Sequence, residues 1–129
     1  MSWNEAREMV QAGMNFGSHT HSHRILSKLS ADDQRRELIL SREILERQLN
    51  TPIESLAYPV GLADAVSAET PRLTEEAGYR LAFGLYGGVN LPENLNRYNI
   101  HRVSVNMLTE ERFRVNLSLA AVACNSFIL

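Results

Sequence analysis

Hydrophobic and polar positions alternate along the chain in segments of helical and strand period. Ser2 with Glu5 three residues later forms a capping box, and Gly13 suits the end of the helix that follows. Residues 14–18 then read as a short strand. Ser30, with Asp32 and Asp33 in the next turn, opens a second helix. Leu38, Leu45 and Leu49 give that helix one apolar stripe. Arg35, Arg36, Arg42, Glu43, Glu46 and Arg47 cover the rest, and Asn50-Thr51-Pro52 stops it. Residues 55–58 form a buried strand ended by Pro59 and Gly61; residues 68–77 form a third helix closed by Gly78; residues 81–86 form another strand. Gly87, Gly88, Pro92 and four asparagines (Asn90, Asn94, Asn96, Asn99) mark a long loop. Residues 100–105 alternate as a strand, and Thr109 caps a last helix to about Cys124, with Phe113, Leu117 and Ala121 among its apolar positions.

Strands alternating with helices argue an α/β domain with a largely parallel sheet. In such folds ligands lie at the carboxyl ends of strands. A length of 129 residues favours one domain with a single core of ordinary size. The composition, 44% hydrophobic and 22% charged, is that of a globular protein. A net charge of -2 provides no attraction to nucleic acid or to anionic lipid. With Cys124 as its one cysteine the chain forms no internal disulfide, and in an apolar stretch that thiol reads as a small core residue. No segment reaches the ~18 apolar residues of a membrane span. The first residues lack a basic stretch followed by an apolar run, so no signal peptide is read and a cytoplasmic location is the default expectation.

The densest chemical signal is Gly17-Ser18-His19-Thr20-His21-Ser22-His23, which holds three of the four histidines. In extended backbone, positions 19, 21 and 23 point the same way; in helical backbone, His19 and His23 share a face. Either geometry converges two imidazoles on one divalent ion, and imidazole suits zinc and similar metals. Thr20 and Ser22 could orient the ligands. The competing reading is a polar turn whose histidines only cap the next helix. A third protein ligand, usually a carboxylate, is expected elsewhere.

Weaker signals lie downstream. Pro59 fixes φ and Gly61 allows backbone to approach a ligand closely. Tyr58 could present its ring and hydroxyl to a sugar, although strand-end punctuation explains the same residues. Asp64 either reaches a metal or caps the third helix, with capping favoured. His101 and Arg102 are neighbours on a strand, so they face opposite ways and one of them could enter a site. Trp3 is expected to anchor the first helix in the core.

Together these residues resemble the polysaccharide deacetylase (NodB-homology, carbohydrate esterase family four) domain. His19, Thr20 and His23 match its His-[Ser/Thr]-x-x-His motif, followed by Leu26, Leu29 and Ser30. Leu56-Ala57-Tyr58-Pro59-Val60-Gly61 resembles the family's aromatic/Ala-Tyr-Pro-x-Gly turn, and Glu76-Ala77-Gly78-Tyr79, Ala82-Phe83 and Arg102-Val103 follow in the family's order. The resemblance implies a partial, distorted (β/α) barrel with mostly parallel strands. It implies metal-dependent hydrolysis that removes acetyl groups from N-acetylated sugars. It assigns His19 and His23 as ligands of a divalent metal, zinc, and leaves His21 and Thr20 as supporting residues. It points to Tyr58, Pro59, Gly61 and Arg102 as substrate-binding residues and to His101 as a catalytic acid.

The sequence also departs from the family. Family members carry Thr-Phe-Asp-Asp-Gly upstream of the histidines, supplying one aspartate for the metal and one as general base. Here the aspartates are Asp32, Asp33 and Asp64, none in that context. The arginine before the Pro-x-Gly turn and the late Leu-x-His motif are absent. The expectation is therefore one domain over residues 1–129, incomplete at its amino end, with weak or no activity as an isolated chain. A completing N-terminal segment or a homo-oligomer would cover the apolar surfaces left open. Two other readings remain at this point. One is a non-catalytic metal- or carbohydrate-binding remnant. The other is a His-x-His metal-dependent phosphoesterase, satisfied by His19-Thr20-His21 but short of the further ligands such enzymes need.

Overall fold

A computed structural model describes residues 1–85, 90–102, 111 and 114. Helix α1, Trp3–Gln11, begins at the expected capping box: Ser2 accepts from the Glu5 amide while the Glu5 carboxylate accepts from the Ser2 amide. Helix α2, Ala31–Leu49, is capped by Ser30, which accepts from the Asp33 amide. It ends where Asn50 turns left-handed, at φ 51° and ψ 43°. Strand β1, Ser55–Ala57, helix α3, Thr70–Glu76, and strand β2, Leu81–Phe83, complete the regular elements, with short 3₁₀ turns at Leu26–Lys28, Ala63–Ala65 and Pro92–Asn94. No helix among the described residues is long and apolar enough to cross a membrane.

β1 and β2 pair in parallel, with Ser55 opposite Leu81, Leu56 opposite Ala82 and Ala57 opposite Phe83. Two single-residue parallel bridges, Ser18 to Leu56 and Phe83 to Ile100, extend this sheet on both sides. Four chain segments thus lie side by side in sequence order, and α2 and α3 supply two of the crossovers. This is the strand–helix repeat of a (β/α) barrel, left unclosed among the described residues.

Side chains alternate across the sheet as its period requires. Ser18, Leu56 and Ala82 are buried, while Ser55, Ala57, Leu81 and Phe83 are half-buried. The buried face joins Leu26, Leu38, Leu49, Ile53, Leu73 and Tyr79 in one core with Tyr58. On the half-open face a cavity of about 560 Å³ lies among Phe16, Ser55, Leu81 and Phe83.

Several expectations change. The strand over 14–18 contracts to the single bridge at Ser18, and Met14 is exposed. The third helix starts at Thr70, not Ala68, because the Thr70 hydroxyl accepts from the Ser67 amide and fixes the turn before it. Trp3 is 43% exposed and is not a core anchor; one turn on, Ala6 makes the buried contact of α1. Tyr86, residues 103–105 and the proposed last helix with Cys124 lie outside the described residues, apart from Glu111 and Arg114.

Candidate metal centre

The histidine segment leaves the sheet at Ser18. Its amide donates to Ser55 O (2.8 Å), and its carbonyl accepts from the Ala57 amide (2.9 Å). Gly17 permits this approach, since a Cβ there would lie 2.7 Å from Ser55 Oγ. The Ser18 hydroxyl donates to Ser41 Oγ on α2 (2.9 Å), and Ser41 in turn donates to Leu38 O and meets the Tyr79 hydroxyl. Ser18 is therefore tied to sheet and helix together, and His19 starts from a fixed point at the carboxyl end.

Beyond it the backbone is neither strand nor helix. Thr20 and His23 both have positive φ, 66° and 58°. These values are uncommon for side chains with a Cβ, and more so for β-branched threonine. The kink at Thr20 breaks the alternation that would have aligned positions 19, 21 and 23. As a result the rings of His19 and His23 meet, with centroids 4.7 Å apart and planes at 72°.

His19 Nδ1 lies 2.7 Å from Ala57 O. A carbonyl oxygen only accepts, so Nδ1 carries a proton, and in the neutral ring Nε2 then keeps its lone pair. That is the tautomer a metal ligand needs, held by a carbonyl behind the ring.

The other side of the loop is held from α2. The Glu37 carboxylate accepts from the Ser22 amide (2.7 Å) and from the Ser22 hydroxyl (2.5 Å). Burial raises the pKa of Glu37. The Ser22 hydroxyl, the Ser22 and His21 amides and the His21 charge outweigh that effect, so its carboxyl titrates below the ordinary value. Thr20 Oγ1 is buried with no hydrogen-bond partner among the described residues. A cavity of about 250 Å³ opens beside it, between Gly17, His19, His21 and the α2 residues Ser41 and Ile44.

The downstream candidates take other places. Tyr58 is 2% exposed, and its hydroxyl donates to Tyr98 O (2.9 Å) and lies 3.3 Å from Thr74 Oγ1. It offers neither ring nor hydroxyl to a sugar, because its apolar ring fills the core beneath the turn. Pro59 is buried as well. Gly61, at φ 71°, does allow a close approach, but to Leu85: the Leu85 amide donates to Gly61 O at 2.6 Å, and a Cβ on Gly61 would lie 3.0 Å from Leu85 N. Asp64 neither caps α3 nor joins the histidines; its carbonyl accepts from Ser27 Oγ (2.6 Å). His101 is held through its backbone by Asn90, and Arg102 donates to Gly84 O (2.9 Å) with its guanidinium over Phe83. No cluster of three or more His, Cys, Asp or Glu side chains suited to a metal forms among the described residues.

Sequence reasoning missed Glu37, Ser41 and Gln34, which point inward from α2. Their spacing of three and four residues was a usable signal, but polar residues at helical spacing look like solvated surface.

A sequence model for the polysaccharide deacetylase family matches residues 1–82. The chain belongs to the polysaccharide deacetylase family. The Bacillus subtilis (strain 168) protein YxkH, named as a polysaccharide deacetylase, is 28% identical over 101 residues, covering 78% of this chain and 35% of the relative. The structure of the Streptococcus pyogenes deacetylase PplD in complex with acetate superposes with a TM-score of 0.77 and 26% identity, over 90% of this chain and 50% of that one. A polysaccharide deacetylase from Bacillus cereus gives a TM-score of 0.78 at 26% identity, over 91% and 36%. This deacetylase-family chain thus spans between about a third and a half of the relatives' lengths. Its fold is a partial deacetylase barrel with parallel strands, and the family acts on carbohydrates.

Proposed function

We propose that the chain is the histidine-bearing part of a metal-dependent hydrolase that removes acetyl groups from N-acetylated sugars. One observation carries this reading: the paired rings of His19 and His23, with His19 held by Ala57 O in the tautomer that frees Nε2. The donor set fits a divalent ion of the zinc type, with two imidazoles in place and a carboxylate still required. A divalent ion held by His19 and His23 would supply Lewis-acid chemistry there, polarising the acetyl carbonyl and acidifying a water. The chain's own residues set the geometry for this. Ala57 orients His19, the bend at His23 directs its ring, and Ser18 fixes the start of the loop, and with it His19, to the sheet.

In this proposal the two aspartates of the resemblance come from a completing segment or partner, and the chain alone is weakly active or inactive. The test is acetate release from chito-oligosaccharides by purified chain with zinc. Release at ordinary enzyme rates would overturn the dependence on a completing segment. The absence of a third ligand among the described residues favours a second reading, a non-catalytic metal- or carbohydrate-binding unit. Acetate release restored by adding the missing aspartate-bearing segment would exclude it.

A further inference from the structure

We propose that Glu37 is a positioning residue that holds His23 against His19, an inference that rests on the metal reading above. The loop leaves the sheet at Ser18 and must pass through two left-handed residues, Thr20 and His23, before the 3₁₀ turn at Leu26–Lys28. Such bends persist only where the surroundings impose them. His19 is held from the sheet by Ala57 O. Within the loop itself, the Thr20 amide reaches Ser18 Oγ at only 3.3 Å. The strong tie on the far side is the pair of hydrogen bonds from Ser22 to Glu37, immediately before His23.

Glu37 is well placed to serve as an anchor. It is 8% exposed and is flanked along α2 by Gln34, Leu38 and Ser41, all buried. Gln34 and Ser41 are themselves hydrogen-bonded, to Thr70 and Tyr79. The carboxylate thus projects from a fixed helix face and accepts from both the amide and the hydroxyl of one residue. Glutamine at this position would offer one acceptor oxygen, reverse the bond with the Ser22 hydroxyl and remove the charge that strengthens both bonds. The two histidines are therefore held independently, His19 by the sheet and His23 through Ser22 by α2.

The experiment compares the full chain with Glu37→Gln and Ser22→Ala variants. Zinc and cobalt are titrated by calorimetry and visible absorption, and Ser22 amide exchange and His19–His23 ring contacts are followed by NMR. Glu37→Gln is expected to weaken metal binding 10- to 100-fold, the loss typical of a partner that orients a ligand. Ser22→Ala, which keeps the amide donor, is expected to lose less. In the metal-free Glu37→Gln protein the Ser22 amide exchanges faster and the His19–His23 ring contact weakens, while His19 keeps its Nδ1 proton. Unchanged metal affinity or an unchanged ring contact in Glu37→Gln overturns the proposal. If that variant does not fold, Ser22→Ala decides by the same two measurements. If the parent chain binds neither metal, the metal reading fails, and the metal-free ring contact still decides the role of Glu37.

Discussion

Two glycines with positive φ, Gly13 and Gly61, separate conformational cost from packing cost. Gly13, at φ 88°, has nothing within 4 Å of where a Cβ would stand, so Gly13→Ala measures the left-handed conformation alone, roughly 1–2 kcal/mol. Gly61 adds a collision with the Leu85 backbone, which is tied to Gly61 O and cannot retreat without breaking that bond. Gly61→Ala is expected to destabilise the chain by about 1 kcal/mol or more beyond Gly13→Ala, read from urea midpoints at constant slope. Equal losses would show that the Gly61–Leu85 contact is slack. His19 and His23 belong to the same scale. Replacing either by Ala should abolish zinc binding with little change in melting temperature, since both are exposed. A double variant that still titrates zinc with parental affinity would remove the proposed centre.

Helix α2 shows how one element can carry both the fold and the site. Its ends were legible because Ser30 and Asn50 sit where capping chemistry demands them. Ser30→Ala is expected to cost about 1 kcal/mol in thermal or urea unfolding. Its inner face was only half legible. Leu38 and Leu49 are buried as the apolar stripe indicates, but so are Gln34, Glu37 and Ser41. Arg42, which reads as surface, donates to Ile53 O and Ala77 O and so joins α2 to the start of β1 and the end of α3. Next to it Tyr79 donates to Leu38 O. Burial raises the pKa of Tyr79, while hydrogen bonds with Ser18 and Ser41 and the charge of Arg42 pull the other way. The unfolded chain releases that proton near the ordinary value of 10.0 and the folded chain resists. This contribution to stability is therefore complete below pH 10 and is lost as the pH rises toward the folded value. Tyr79→Phe should flatten the alkaline fall in unfolding free energy, leaving the part that Tyr98, also raised by burial and by Glu75, contributes.

At the scale of the molecule, the four parallel segments present one covered face and one half-open face. Phe16, Leu81 and Phe83 border a cavity of about 560 Å³ on the open side. Half-open apolar surface of that kind attracts a second surface. We propose that a completing segment, or another copy of the chain, covers it. Sedimentation equilibrium should then show association that grows with concentration, and a concentration-independent monomer would count against association between copies. A synthetic or co-expressed aspartate-bearing segment should bind the chain and raise zinc affinity, because it would add the carboxylate that the two histidines lack among the described residues.

The sequence determined what depends on neighbours along the chain. Ser2, Ser30 and Asn50 set helix ends through hydrogen bonds spanning three or four residues. The order of His19, His23, Tyr58, Pro59 and Gly61 carried the family. What only the tertiary structure decided depends on distant pairs. It paired the rings of His19 and His23 through left-handed bends that no local propensity favours. It put Ala57 O behind His19 and Glu37 behind Ser22 across gaps of 38 and 15 residues. It also sent Tyr58 into the core, although its motif had marked it for a ligand. The physical reason is that hydrogen-bond satisfaction in an irregular loop is settled by whichever groups the fold brings near, and the sequence does not display that proximity.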